Sequence, residues 1–389
     1  MRIVDIRETA IALNSSLRNA VFDFSEMTTS VVAVMTDVIR EGKPVCGFAF
    51  NSTGRYACGG PMRDRFFPRL LKANPDSLLN EKGDNFDPEK ILATLMQREK
   101  PGGHTERSVA IGTIEVAFWD AIAKIADKPL HAVLRERYSQ TQPKMDKVPC
   151  YVGGGWYAPG KGIAQLLDEI RDKLDSGYTV MKIKVGGASL AEDVARVEAA
   201  LQLLGSGDCL AVDANAGLEP ERAIQYAKAL SSYRLKWFEE PSDPLGYADL
   251  SDFIAQYGSA VGTGENLFST QDIVNLVTYG GMRAQRDFIQ IDVPQSYGIV
   301  QFSHTLQRLE AMGWSRSSIF PHGGNQMTLQ IVGGFGLGGC EAYPGVFGLF
   351  AGFADEARIE NGFLALPERP GIGFEAQNDL YQKMKALVS

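Results

Sequence analysis

Lys184, Asp213, Glu239, Glu265, Asp292, His322 and Glu341 are the residues of this 389-residue chain best placed to do chemistry, and their spacing ties them together. The first six close short apolar runs, and Glu341 lies within a further one. Successive members lie roughly 20 to 30 residues apart, about one strand, one helix and their loops. A single charged strand end means little, because strand ends are often solvated. A whole series of them, each flanked by apolar residues, points to one mouth of a parallel barrel, where the C-terminal ends of the strands meet.

Asp213, Glu239 and Glu265 suggest a metal centre. Three carboxylates at one mouth repel each other unless a cation lies between them, and oxygen-only ligands select a hard divalent ion. Magnesium suits three carboxylates with positions left for water and substrate. The plainer alternative pairs these acids with nearby Lys or Arg. Glu240 is ambiguous, because adjacent strand residues point to opposite faces and alternation lets only one of Glu239 and Glu240 face inward. Asn215, two residues past Asp213, shares its side and is a candidate to hydrogen-bond substrate or a ligand.

Lys182 and Lys184 are two apart on one apolar strand and share a face. Two ammonium groups close together depress each other's pKa, and a nearby metal depresses both further, which makes a lysine a usable general base. The alternative is a surface pair on an edge strand, but Val180-Met181, Ile183 and Val185 read as a strand buried on both faces. His322 and Asp292 fall on adjacent strands. A carboxylate can hold an imidazole by one nitrogen, fix its tautomer and raise its pKa, leaving the other nitrogen to give or take a proton. Gly323-Gly324 after the histidine leaves room for a ligand. His104, His131 and His304 lack such a setting and read as structural.

The elements that must position these residues follow from periodicity. Met1 to Leu13 and Thr29 to Phe50 read as strands, the second broken at Glu41-Gly42-Lys43. Ile111, Ile114, Phe118, Ile122 and Ile125 recur at helical spacing, ending near Asp127. From Val148 a strand-then-helix alternation sets in: Val148–Val152, Thr179–Val185, Leu210–Asn215, Lys236–Pro241, Ala260–Glu265, Phe288–Val293, Ser318–His322 and Gly339–Tyr343. Ser189 and Glu192 make a capping-box pattern before the helix 189–204. Eight strands alternating with helices imply an α/β fold, a closed parallel β/α barrel of the TIM type. The expected division is an α+β capping domain over residues 1–147, a barrel over 148–350, and a segment 351–389 that returns to the cap.

Bulk composition sets the remaining bounds. Hydrophobic residues make up 44% and charged residues 22%, as in ordinary globular proteins. A net charge of −8 with no basic run argues against nucleic acid as a partner. No apolar run approaches the roughly 18 residues that cross a bilayer, and the N-terminus reads as a strand and not as a leader, so the expected location is the cytoplasm, without membrane attachment. Cys46, Cys58, Cys150, Cys209 and Cys340 are scattered and show no zinc or disulfide spacing. Gly333-Gly334-Phe335-Gly336 does not fit a phosphate loop. Base rates favour a homo-oligomer.

Taken together, Lys182-Ile183-Lys184, Asp213-Ala214-Asn215, Phe238-Glu239-Glu240-Pro241, Gly264-Glu265-Asn266, Asp292 and His322 resemble the enolase superfamily in its mandelate racemase-like branch. The resemblance covers nearly the whole chain and includes the helix Gly112 to Ala126 followed by Lys128-Pro129-Leu130, which is similar to that family's join between cap and barrel. Members of the superfamily are known for a Lys or His base that works with magnesium on an enediolate. The resemblance implies that Asp213, Glu239 and Glu265 are magnesium ligands and that Lys184 is the base on one substrate face, with Lys182 its electrostatic neighbour. It further implies that His322, paired with Asp292, serves the other face, and that Glu341 hydrogen-bonds a substrate carboxylate. The lactonizing branch carries a lysine where this chain has Asp292, and fits poorly.

Within the branch, Phe320-Pro321-His322-Gly323-Gly324-Asn325-Gln326-Met327 and the stretch after Gly338 are similar to the D-tartrate dehydratases. The implied reaction is dehydration of a hydroxy-dicarboxylate or acid sugar to a 2-keto acid, oxaloacetate if the substrate is tartrate. The alternatives are a racemase using the same Lys and His, and a non-catalytic barrel that retains metal binding. Specificity would reside in the loops near Asn14 to Phe24 and Asn51 to Met62. A second substrate carboxylate would be received there by Arg18 or Arg55, both of which also read as plain surface residues.

Overall fold

In the computed structural model, which describes residues 1–389, the N-terminal apolar runs form an antiparallel sheet. Its strands are β1 (Ile3–Ala12), β2 (Thr28–Arg40) and β3 (Lys43–Phe50), in that spatial order. Glu41 and Gly42 both take positive φ (47° and 75°), as a two-residue hairpin requires. The helix Glu106–Ile125 packs on β2 and β3, and every residue from Ser108 to Ala123 is buried. It is enclosed on all sides, which is why its apolar residues are not confined to one stripe. It meets β3 so closely that a Cβ on Gly47 would stand 2.1 Å from the Ala117 carbonyl oxygen.

The barrel strands are β4 (Lys147–Gly154), β5 (Met181–Lys184), β6 (Leu210–Asp213), β7 (Phe238–Glu239), β8 (Val261–Thr263), β9 (Phe288–Ile289) and β10 (Cys340–Ala342). Each pairs in parallel with the next from β4 to β9, and β10 pairs in parallel with β4. The seventh position, expected as a strand over Ser318–His322, is only a bridge between Ile289 and Ile319. Phe320 N donates to Ile289 O at 2.9 Å and Gly338 N to Ile319 O at 3.0 Å, which closes the ring. A 3-10 turn, Arg316–Ser318, precedes the bridge, and Pro321, with no N–H to donate, stops the ladder. Inside the ring Tyr151, Ala211, Trp237 and Phe320 form a separate apolar cluster, the floor beneath the mouth.

Of the expected capping box only half is present: Ser189 Oγ accepts from Glu192 N at 3.2 Å. After Ala351 the chain touches both units. A hairpin of β11 (Ile359–Glu360) and β12 (Phe363–Ala365) pairs antiparallel with the start of β4. Beyond it, Phe374 meets Phe50 and Tyr381 meets Phe48 in the cap, with ring centres 5.9 and 6.1 Å apart. No helix is long and apolar enough to cross a membrane. All five cysteines are unpaired.

Candidate active site

The strand period places the site. Lys182 and Lys184, two apart on β5, both face the barrel interior and are buried. Lys184 Nζ stands 2.5 Å from Asp213 Oδ2 at the end of β6. Lys182 Nζ is bonded to Glu239 at the end of β7 and lies 2.6 Å from Glu341 Oε1 on β10 and 3.5 Å from Asp213 Oδ2. Glu239 also accepts from Trp237 Nε1 (2.7 Å) and Gln290 Nε2 (2.6 Å). Across the mouth, His322 Nδ1 is 2.7 Å from Asp292 Oδ2, while its Nε2 is 3.7 Å from Glu265 Oε2 and 4.0 Å from Glu341 Oε2. Gln295 N donates to the other Asp292 oxygen at 3.1 Å.

Two expectations need correction. The first is a depressed pKa for Lys182 beside Lys184. Burial does oppose its charge, but Glu239 and Glu341 outweigh burial and hold the ammonium well above its ordinary value. The second is that Glu240 faces away if Glu239 faces inward. Both are fully buried at the mouth, because β7 ends at Glu239 and Glu240 turns with φ 44°, out of the strand period. Burial, then the charges of Glu265 and Asp213, push Glu240 well above the usual carboxylate range. Glu239 is pushed up by burial against Lys182. Asp213 is held down to about 2, Lys184 and Lys182 outweighing its burial. Glu341 is held down by Lys182 and His322 against burial. For His322 burial opposes the charge, but Glu265, Asp292 and Glu341 push it up to about 10.

No group of three His, Cys, Asp or Glu side chains stands assembled around one point to hold a metal ion. The lysines instead take up Asp213 and Glu239, as the plainer alternative has it. The donor set nevertheless fits a hard cation. Asp213, Glu239, Glu240, Glu265, Asp292 and Glu341 gather at the mouth against only three basic groups, Lys182, Lys184 and His322. Oε2 of Glu240, Oε2 of Glu341 and Oδ1 of Asn215 are buried without a hydrogen-bond partner. Buried carboxylates in such excess are costly unless a further cation is shared among them.

Lys184, His322, Glu265 and Asn215 line one cavity. Asn215, turned at φ 47°, donates its N and Nδ2 to Asp213 at 2.8 and 3.2 Å. The aromatic walls are Phe22, Phe24, Trp156, Tyr343 and Phe347, and the space between is about 30 Å³, room for roughly one water. Arg18 is exposed and off this wall, whereas its neighbour Asn19 is on it. Arg55 does not line the cavity either. It bonds Asn266, which lines both the cavity and an outer cleft of about 1200 Å³. Sequence reasoning misses Asn19, Trp156 and Gln295. They sit on loops with no periodicity, and only contacts such as Gln295 Nε2 to Thr53 O (3.2 Å) place them. His104 and His131 are tied to Tyr297 and Gln330, away from the cavity.

The profile of the enolase C-terminal domain-like family matches residues 165–380, more than half of the chain. The chain is similar to L-talarate/galactarate dehydratase of Salmonella typhimurium, 28% identical over 303 residues covering 77% of this chain and 71% of that protein. It is similar to arabinonate dehydratase of Saccharolobus solfataricus, 25% identical over 283 residues covering 71% and 72%. Its fold is that of a racemase from Streptomyces coelicolor solved with bound magnesium, at a TM-score of 0.76 and 23% identity over 99% of each chain. The series of charged strand ends and the profile agree: this chain belongs to the enolase C-terminal domain-like family, among the mandelate racemase-like members of the enolase superfamily.

Proposed function

We propose that this chain is a magnesium-dependent dehydratase of a hydroxy acid, with D-tartrate as substrate and oxaloacetate as product. The observation that carries the reading is His322. Its environment holds it as an imidazolium, its Nδ1 is fixed by Asp292, and its Nε2 lies beyond hydrogen-bond distance of any carboxylate, in the same cavity as Lys184. A base and a charged acid on one cavity are what elimination of water needs. The dehydratases among the relatives and the magnesium in the structural neighbour support the same chemistry. The choice of tartrate within that chemistry rests on the stretch Phe320 to Met327, which is similar to the D-tartrate dehydratases.

Asp213, Glu239 and Glu265 would hold magnesium, which when bound relieves their repulsion and draws off charge developing on a substrate carboxylate. Lys184, freed from Asp213 and deprotonated, takes the α-proton. Lys182 remains an ammonium and favours the ionised form of the adjoining acids. The electron pair of the broken C–H bond becomes the C=C bond of an enol. His322 gives its Nε2 proton to the β-hydroxyl, which leaves as water with the C–O pair. The enol then becomes the 2-keto acid. Glu341 can donate to a substrate carboxylate oxygen only in its protonated form, so substrate binding must carry a proton to it. The test is incubation with magnesium and D-, L- and meso-tartrate, with galactarate as the longer diacid. Oxaloacetate should form from D-tartrate alone. A keto acid from galactarate in preference to every tartrate would overturn the substrate, and no keto acid from any of them would overturn the reaction.

A further inference from the structure

Glu240 is the one carboxylate at the mouth to which the mechanism above gives no task. It is 1% exposed. Its Oε1 accepts from Asn266 Nδ2 at 2.7 Å and its Oε2 has no partner. It reaches the mouth through a left-handed backbone that a non-glycine residue adopts only under strain. Across from it Asn215 and Ala216 are turned the same way, and Ala216 N donates to Glu240 O at 2.9 Å. Such strain persists only where its surroundings demand it.

What holds Glu240 from outside is a chain of contacts reaching into the cap. Asn266 Oδ1 accepts from Arg55 Nη2, which orients the amide so that its Nδ2 must point at Glu240. The Arg55 guanidinium lies over the Phe268 ring, 4.9 Å from its centre. Arg55 makes no ion pair, and its backbone oxygen accepts from Asn51 Nδ2 at 3.0 Å, which fixes it to the capping domain. A charged donor on one end of the amide also strengthens the bond at the other.

We propose that Arg55 and Asn266 are positioning residues that present Glu240 to the magnesium site, so that magnesium affinity depends on a loop of the capping domain. The inference rests on the magnesium reading above. Groups that orient carboxylates around a metal from outside typically change affinity by about 10- to 100-fold when removed.

The test is calorimetric titration of magnesium into the substrate-free protein, for the unaltered chain, Arg55→Ala, Glu240→Gln and the double variant, with melting temperatures to show that each is folded. Arg55→Ala should weaken binding by about tenfold, and Arg55→Lys should recover part of the loss. In the Glu240→Gln background Arg55→Ala should change affinity by less than about twofold, because the group it positions is gone. Should Arg55→Ala fail to fold, Phe268→Leu takes its place, with a smaller loss confined to the background that keeps Glu240. Magnesium affinity unchanged in Arg55→Ala, or losses that simply multiply in the double variant, would overturn the relay while leaving the magnesium reading intact. No magnesium binding by the unaltered chain would overturn both.

Discussion

Lys182 shows how burial changes the meaning of a residue. From sequence it is a positive neighbour that lowers the pKa of Lys184. In the folded protein it is the counter-ion of two buried acids, Glu239 and Glu341. Lys182→Met leaves both without that partner and should lower stability by about 3–5 kcal/mol, read by denaturant unfolding without metal. An unchanged midpoint would show that the two acids do not depend on it. His322 carries the pH dependence. Its pKa rises from 6.5 unfolded to about 10 folded, so its stability contribution is fully present below about pH 6.5 and is lost as pH rises through about 10. The alkaline limb of kcat/KM should follow the same proton. Asp292→Asn removes a negative charge beside the imidazolium, disfavours it and should move that limb to lower pH; a limb that stays in place contradicts the acid role. Lys184→Ala should abolish exchange of the α-proton with heavy water, whereas His322→Asn should keep some exchange and lose keto-acid release. Normal exchange and product in both would show the roles are wrong.

Among the groups through which helix Glu106–Ile125 meets the barrel, one side chain stands out. Glu115 accepts from Ile299 N (2.8 Å), Val300 N (3.0 Å) and Trp119 Nε1 (2.7 Å), so it caps the start of the barrel helix Ile299–Ala311. Glu115→Ala strands three buried donors and should cost about 3 kcal/mol or more, measurable as a fall in the unfolding midpoint. Loss of less than about 1 kcal/mol would mean that water reaches those donors. This helix and the eight barrel positions are legible in the sequence because apolar residues repeat with the period of the element that carries them. Lys182 and Lys184 share a face by that period alone. Glu240 is not legible, because its left-handed backbone breaks the two-residue period of the strand. The strand expected over Ser318–His322 shrinks to a bridge, since the apolar run Ile319-Phe320 is real but Pro321 cannot extend a ladder. Arg18 and Asn19 differ by one position on a loop, and no pattern there says which side chain reaches the cavity.

At the scale of the whole molecule, a cap and a barrel enclose a cavity of about 30 Å³ at a mouth whose six buried or half-buried acids outnumber its three bases. Substrate must therefore displace part of the wall, and a divalent cation should tighten the assembly. Magnesium at 100 times its Kd should add about 2.7 kcal/mol to stability, seen as a rise in melting temperature that a chelator reverses. No rise at any magnesium concentration would contradict the metal site. The central claim is that a proton taken by Lys184 commits the substrate to lose water and not to invert. Proton NMR of D-tartrate with the unaltered chain and magnesium in heavy water tests this directly. The account predicts that tartrate disappears as oxaloacetate forms, with solvent deuterium at the carbon that lost its hydroxyl. Deuterated meso-tartrate without keto acid would contradict it.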